Sequence, residues 1–202
     1  VTFITSPHSP SGTVVSLDLL DKLATQLQGV LVIDEAYVDF ATENALELVK
    51  KHDNVIILRT LSKGYSLAGI RLGFAVAHPV LIAGLMKVKD SYNVDAIACI
   101  VGTAALQDRE YKNANAEKIK ASREKLAVEL QKLNFNVCPS QANFLLARSP
   151  NGDAAHLYHS LKARDILVRY FPQPRLEDKL RITIGTDEQN AQLVKALSEI
   201  LW

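Results

Sequence analysis

Two rhythms of apolar positions share the first hundred residues. Short uninterrupted apolar runs at Val1–Thr5, Val30–Ile33, Val55–Leu58 and Leu72–Ala77 are separated by helically spaced stretches near Ser16–Gln28 and Asn44–Lys51. Continuous runs predict strands buried on both faces, and their alternation with helices predicts βαβ units around a parallel sheet. In such sheets ligands sit beyond the carboxyl ends of the strands, so chemistry is expected in the residues that follow each run.

From Pro79 to Leu106 the chain is apolar with many small residues, which predicts helix. Glu110 to Leu133 reads as a long amphipathic connector helix, and its charges between Tyr111 and Glu129 are expected to form a solvated face. Beyond it come a strand pair at Phe135–Val137 and Asn143–Ala147 and a helix near Ala154–Arg164. Strands at Ile166–Phe171 and Leu180–Ile184 follow, then a terminal helix from Asp187. The expected class is α/β: residues 1–108 as part of a large domain with a parallel sheet, residues 109–202 as a connector helix and a small α+β domain.

Composition narrows the function. With 48% hydrophobic and 22% charged residues the chain is ordinary globular material. A net charge of +1 with no basic run offers no electrostatic footprint for nucleic acid or an anionic membrane, so small-molecule chemistry is the expectation. Cys99 and Cys138 are too few for a disulfide framework and suit a reducing compartment, which points to the cytoplasm. The chain opens inside an apolar run and has one methionine, Met86, as expected of a fragment or a processed chain.

The second run ends abruptly in Asp34-Glu35-Ala36-Tyr37, which puts Asp34 at a strand's carboxyl end. Three readings compete there. The acids could serve a nucleotide hydrolase, one on Mg²⁺ and one orienting water; Asp34 could pair with a pyridinium nitrogen; or it could simply cap a turn. The third run continues into Arg59-Thr60-Leu61-Ser62-Lys63-Gly64 and then Gly69-Ile70-Arg71-Leu72-Gly73. Asp34 and Lys63 lie roughly 30 residues apart, one βαβ unit, so both can emerge at one sheet edge. A lysine there can form a Schiff base, while Thr60, Ser62 and Arg71 offer hydroxyls and a planar cation suited to a phosphate dianion. A G-x-x-x-x-G-K-[ST] loop, which a nucleotide hydrolase requires, is not among these residues.

Ser6-Pro7-His8-Ser9-Pro10-Ser11-Gly12, Asp34-Glu35-Ala36-Tyr37 and Thr60-Leu61-Ser62-Lys63-Gly64-Tyr65-Ser66-Leu67-Ala68-Gly69-Ile70-Arg71 together resemble the fold-type I aminotransferases dependent on pyridoxal 5′-phosphate (PLP). Within them the likeness is to the histidinol-phosphate aminotransferases, and it extends through Gln141-Ala142-Asn143-Phe144 to Leu180-Arg181-Ile182-Thr183-Ile184-Gly185-Thr186. The resemblance implies that Lys63 carries the cofactor and moves the substrate's proton. It implies Asp34 on the pyridine nitrogen, Tyr37 on the 3′-oxygen, and Thr60, Ser62 and Arg71 on the phosphate. Family members usually carry Asn before the Pro-Thr-Gly turn; here Ser9 stands there, preceded by His8.

Arg181 lies on an apolar strand, where a buried arginine is costly unless it meets an anion. The resemblance makes it the arginine that grips the glutamate carboxylate, with Arg169 beside it and Asn143 also on the substrate. Without the resemblance, Arg169 could equally face solvent on an edge strand. Arg175 is expected to be a solvated loop charge, and His156 and His159 surface residues rather than metal ligands.

The activity implied is transfer of the amino group between L-histidinol phosphate with 2-oxoglutarate and imidazole-acetol phosphate with glutamate, in histidine biosynthesis. Rival readings are a threonine-phosphate decarboxylase, an aromatic aminotransferase, an inactive fragment of such an enzyme, or a nucleotide-hydrolase fragment. The family's upstream phosphate loop, ring-stacking aromatic and the tyrosine lent by a second subunit are not in these residues, and a homodimer is expected of the intact protein.

Overall fold

In a computed structural model describing residues 1–202, the first three apolar runs become strands β1 (Thr2–Thr5), β2 (Leu31–Asp34) and β3 (Val55–Thr60), paired in parallel in that order. The fourth run forms β4 (Gly73–Ala77), which pairs with β3 antiparallel. The expected parallel sheet is thus formed by β1, β2 and β3, and β4 makes it mixed at one edge. The twelve residues joining β3 to β4 hold only a short 3₁₀ turn at Ala68–Ile70, too little for the crossover a parallel strand needs, so the chain turns straight back. Glycine at 73 allows this close return, because a Cβ there would lie 2.8 Å from the Arg59 carbonyl oxygen.

Helix α1 (Leu17–Gln26) starts at Ser16, whose hydroxyl accepts from the Leu19 N–H. It lays Leu20 and Ala24 on Leu31, Ile33, Val55 and Ile57, a core shielded from water. The helix expected from Asn44 shrinks to α2 (Leu48–Lys51). Its would-be first turn is diverted: the Ala45 N–H donates to the Glu35 carboxylate and the Leu46 N–H to the Asn44 side chain. The single helical stretch expected from Pro79 breaks into α3 (Pro79–Val88) and α4 (Ala96–Gln107), the second capped by Asp95.

Helix α5 (Arg109–Lys132) contains the division between the chain's two compact units, Val1–His8 with Val14–Ala116 and Ser9–Thr13 with Glu117–Trp202. Its charges are not all solvated, contrary to expectation. Arg123 is buried and donates to the Ala142 carbonyl at 3.0 Å, and Lys112 forms a largely buried ion pair with Asp39 at 3.0 Å.

The second unit holds β5 (Asn136–Val137), β6 (Phe144–Arg148), α6 (Ala154–Lys162), β7 (Arg169–Tyr170), β8 (Lys179–Thr183) and α7 (Asp187–Leu201). Its sheet is antiparallel with the order β5-β6-β8-β7. Leu126 and Leu130 of α5, Leu161 of α6 and Leu197 of α7 close over Leu145 and Ile182 of the sheet. Strand β7 is shorter than its apolar run, and Pro172 and Pro174, which have no N–H, keep the ladder from continuing beyond it. No helix is long and apolar enough to cross a membrane.

Candidate active site

The parallel register sets Asp34 beside Leu58, so Asp34 and Thr60 emerge at the same edge of the first sheet. Asp34 Oδ1 accepts from the Ala36 N–H at 2.9 Å. This is the turn-capping geometry considered from sequence, and it fixes the carboxylate at the strand end. The turn delivers the Tyr37 ring to Lys63, whose Nζ lies 5.2 Å from the ring centroid. Such a contact suits a cation over an aromatic face. Both residues are half-buried.

Thr60 Oγ1 accepts from the Ser62 N–H at 3.0 Å and lies 3.3 Å from the Leu72 carbonyl, to which it donates. The loop carrying Lys63 is closed by the Leu61 N–H on the Leu72 carbonyl. Gly64 follows Lys63 because a Cβ there would overlap the Asp39 carboxylate, the same carboxylate held by Lys112. Arg71 is exposed, has φ +52°, and donates to the Ala68 carbonyl at 3.1 Å. Its guanidinium is thus bonded within its own loop, with no hydrogen bond to Thr60 or Ser62.

Glu35 has a setting that does not suit the water-orienting role given to it by the nucleotide-hydrolase reading. It is 2% exposed and both carboxylate oxygens are engaged: Oε2 by Arg59 Nε and Nη2 at 2.9 and 2.7 Å, Oε1 by the Ala45 N–H at 2.5 Å. Glu35 is thus a buried ion-pair partner of Arg59 rather than an open carboxylate facing solvent.

The second unit holds the anion-type residues. Arg169 and Arg181 stand directly opposite each other on β7 and β8. Like charges in that relation repel, so the pair needs compensation. Aromatic faces supply part of it: the Arg181 guanidinium carbon lies 5.0 Å from the Phe144 ring and 5.7 Å from that of Phe171, and Arg169 lies 5.3 Å from Phe171. Arg181 Nη1 donates to Ser9 Oγ at 3.0 Å, while its Nε is buried without a hydrogen-bond partner. A half-buried guanidinium with one buried, unpaired N–H is the feature an incoming anion would satisfy.

Ser9 reaches Arg181 from the turn Ser9–Thr13, anchored where the Gly12 carbonyl accepts from the Gln141 N–H at 2.8 Å. His8 is exposed. Half-buried Asn143 accepts from the Ile184 N–H through its own carbonyl at 2.9 Å, which puts it alongside β8. Arg175, His156 and His159 are exposed, as expected, and no group of three or more His, Cys, Asp or Glu is arranged to hold a metal.

Sequence reasoning missed the Glu35–Arg59 pair, the Asp39–Lys112 pair and both phenylalanines. A signal existed for Phe144 and Phe171, each within two residues of a singled-out Asn143 or Arg169. None existed for Lys112, which contacts Asp39 across 73 residues.

The class I and II aminotransferase family model matches residues 1–197. Histidinol-phosphate aminotransferase 1 of Nostoc sp. is 65% identical over 201 residues, covering 100% of this chain and 57% of that protein. The crystal structure of histidinol-phosphate aminotransferase from Sinorhizobium meliloti in complex with pyridoxal-5′-phosphate superposes with a TM-score of 0.89 at 26% identity, over 98% of this chain and 56% of that one. L-threonine-O-3-phosphate decarboxylase from Porphyromonas gingivalis gives a TM-score of 0.88 at 25% identity, over 98% and 63% respectively. The chain spans little more than half the length of the relatives it matches, and it belongs to the class I and II aminotransferase family.

Proposed function

We propose that the intact protein containing this chain is a PLP-dependent aminotransferase. It exchanges an amino group between L-histidinol phosphate and 2-oxoglutarate, giving imidazole-acetol phosphate and glutamate in histidine biosynthesis. The observation that carries the substrate assignment is the 65% identity over 201 residues to the Nostoc protein of that name. The opposed arginines, Arg169 and Arg181, independently favour substrates bearing strong anions.

The donor set fits PLP. An acid at a strand's carboxyl end, a tyrosine in reach of a half-buried lysine, and a Thr-x-Ser loop meet the needs of a pyridine nitrogen, a phenolic oxygen and an aldehyde bearing a phosphate. Bound there, the cofactor's protonated pyridine would supply the sink for the electron pair left when the substrate α-C–H bond breaks. Asp34 would keep the ring nitrogen protonated, and Tyr37 would donate to the 3′-oxygen. Thr60 and Ser62 would take the phosphate, with Arg71 joining once its guanidinium leaves the Ala68 carbonyl. Lys63 would carry the cofactor and, freed as a neutral amine, move the proton between the substrate α-carbon and the cofactor C4′. Arg181 and Arg169 would bind the carboxylate and phosphate of the substrates, with Asn143 lending a side-chain amide. The intact enzyme is proposed to be a cytoplasmic homodimer.

The structural likeness to a threonine-phosphate decarboxylase favours a second reading, a PLP enzyme that releases CO₂. Full-length protein supplied with L-histidinol phosphate and 2-oxoglutarate should form glutamate. Release of CO₂ from L-threonine phosphate without transamination would establish the second reading instead.

A further inference from the structure

Glu35 and Arg59 are adjacent to candidate cofactor residues yet face away from them. In the parallel register Asp34 pairs with Leu58, and the Glu35 N–H continues the ladder by donating to the Leu58 carbonyl at 2.9 Å. Side chains alternate along a strand, so Asp34, Leu58 and Thr60 share one face of the sheet while Glu35 and Arg59 share the other. There Arg59 grips one carboxylate oxygen through both Nε and Nη2, and Glu35 is 2% exposed. The same pair reaches a third segment, since the Ala45 N–H donates to Glu35 and Arg59 Nη2 donates to Asn44 Oδ1 at 3.2 Å.

We infer that Glu35 and Arg59 are positioning residues that set the spacing between Asp34 and the Thr60–Lys63 loop from behind the sheet. This rests on the proposed cofactor site. The last rungs of the two strands are joined by main-chain hydrogen bonds, where ladders fray, and beyond them Tyr37 and Asp39 touch the Lys63–Gly64 turn. A side-chain bridge at that level holds Asp34 and Lys63 at one separation, and both must reach opposite parts of one rigid ring. Neither member of the pair touches the cofactor face, so its effect is on geometry. A planar two-donor grip on a buried carboxylate resists both stretch and rotation, which an ammonium on a flexible stem does not.

The test uses the full-length protein with PLP, in Glu35→Gln, Arg59→Lys and the charge-neutral double variant Glu35→Gln/Arg59→Gln. The double variant avoids leaving one buried charge alone, which could itself prevent folding. Three quantities are read: PLP affinity by equilibrium dialysis, the pH midpoint of the bound cofactor's visible band, and kcat against KM. Misplacement of reacting groups by about 1 Å costs up to ~100-fold in rate. The expected result is a kcat lower by ~10- to 100-fold, weaker PLP binding and a displaced band midpoint, with KM for the amino donor little changed. Variants that lose thermal stability alone, with kcat, PLP affinity and band midpoint at wild-type values, would overturn the inference. If wild-type protein shows no PLP-dependent band, the cofactor assignment falls and this inference with it, an outcome distinct from the first.

Discussion

Ser9 and Arg181, 172 residues apart in sequence, meet in a hydrogen bond of 3.0 Å from the guanidinium Nη1 to the serine Oγ. Ser9, at the position where the family resemblance leads one to expect an asparagine, thus meets the arginine proposed to hold a substrate anion. Ser9→Ala should raise KM for glutamate severalfold, because Arg181 loses a partner that orients its guanidinium but can still meet the anion. The cofactor's absorbance should stay unchanged. Steady-state kinetics and a spectrum of the variant check both halves.

Arg169 and Arg181 are opposed on neighbouring strands but differ in setting: Arg169 is exposed and Arg181 half-buried between two phenyl rings. A carboxylate is satisfied by one guanidinium, whereas a phosphate has a third oxygen for a second. Arg181→Ala should therefore damage both half-reactions. Arg169→Ala should weaken histidinol phosphate more than glutamate, by about ten- to a hundredfold in specificity for a charge-assisted bond of roughly 1.5–3 kcal/mol. Single-turnover kinetics with each substrate separately give the comparison, and equal losses would leave Arg169 without a part in phosphate recognition.

Much of the architecture is legible in the sequence because burial dictates it. The apolar runs at Val30 and Val55 and the acid and lysine that follow them sit where strand ends should put them. The rest depends on partners that no local pattern announces. The direction of β4 follows from the shortness of the loop before it, and the truncation of α2 follows from Glu35 and Asn44 capturing two N–H groups. Arg123 and Lys112 read as solvated charges on a polar helix until the Ala142 carbonyl and Asp39 appear against them. Ser9 was identifiable as a departure from the family motif, but its bond to Arg181 spans nearly the whole chain.

Gly12 is at φ +79°, and a Cβ there would strike the Ser140 side chain. Gly12→Ala should destabilise the protein by more than the ~1–2 kcal/mol typical of a left-handed backbone in a residue with a Cβ, because Ser140 must also move. Since the Gly12 carbonyl accepts from Gln141, the same change should also disturb the turn presenting Ser9. Denaturant unfolding of the full-length variant measures the first effect.

Asp21 on α1 accepts a hydrogen bond of 2.6 Å from the His52 ring, and this holds its carboxyl below the ordinary value of 3.8. A carboxyl with a lowered folded-state pKa stabilises the native state above its unfolded value and loses that contribution as pH falls through the folded one. Wild-type protein should therefore lose stability more steeply than Asp21→Asn as pH drops below about 4. Parallel melting curves across that range would show that the His52 contact contributes nothing to acid stability.

The central claim is that Lys63 carries the cofactor, and reduction with borohydride tests it most directly. Full-length protein should show a visible band that borohydride bleaches, and peptide mapping should find the pyridoxyl group on Lys63 alone. Lys63→Ala should show neither the reducible protein-bound band nor turnover. A borohydride-stable adduct on a different lysine, or a reducible band that survives in Lys63→Ala, would contradict the account.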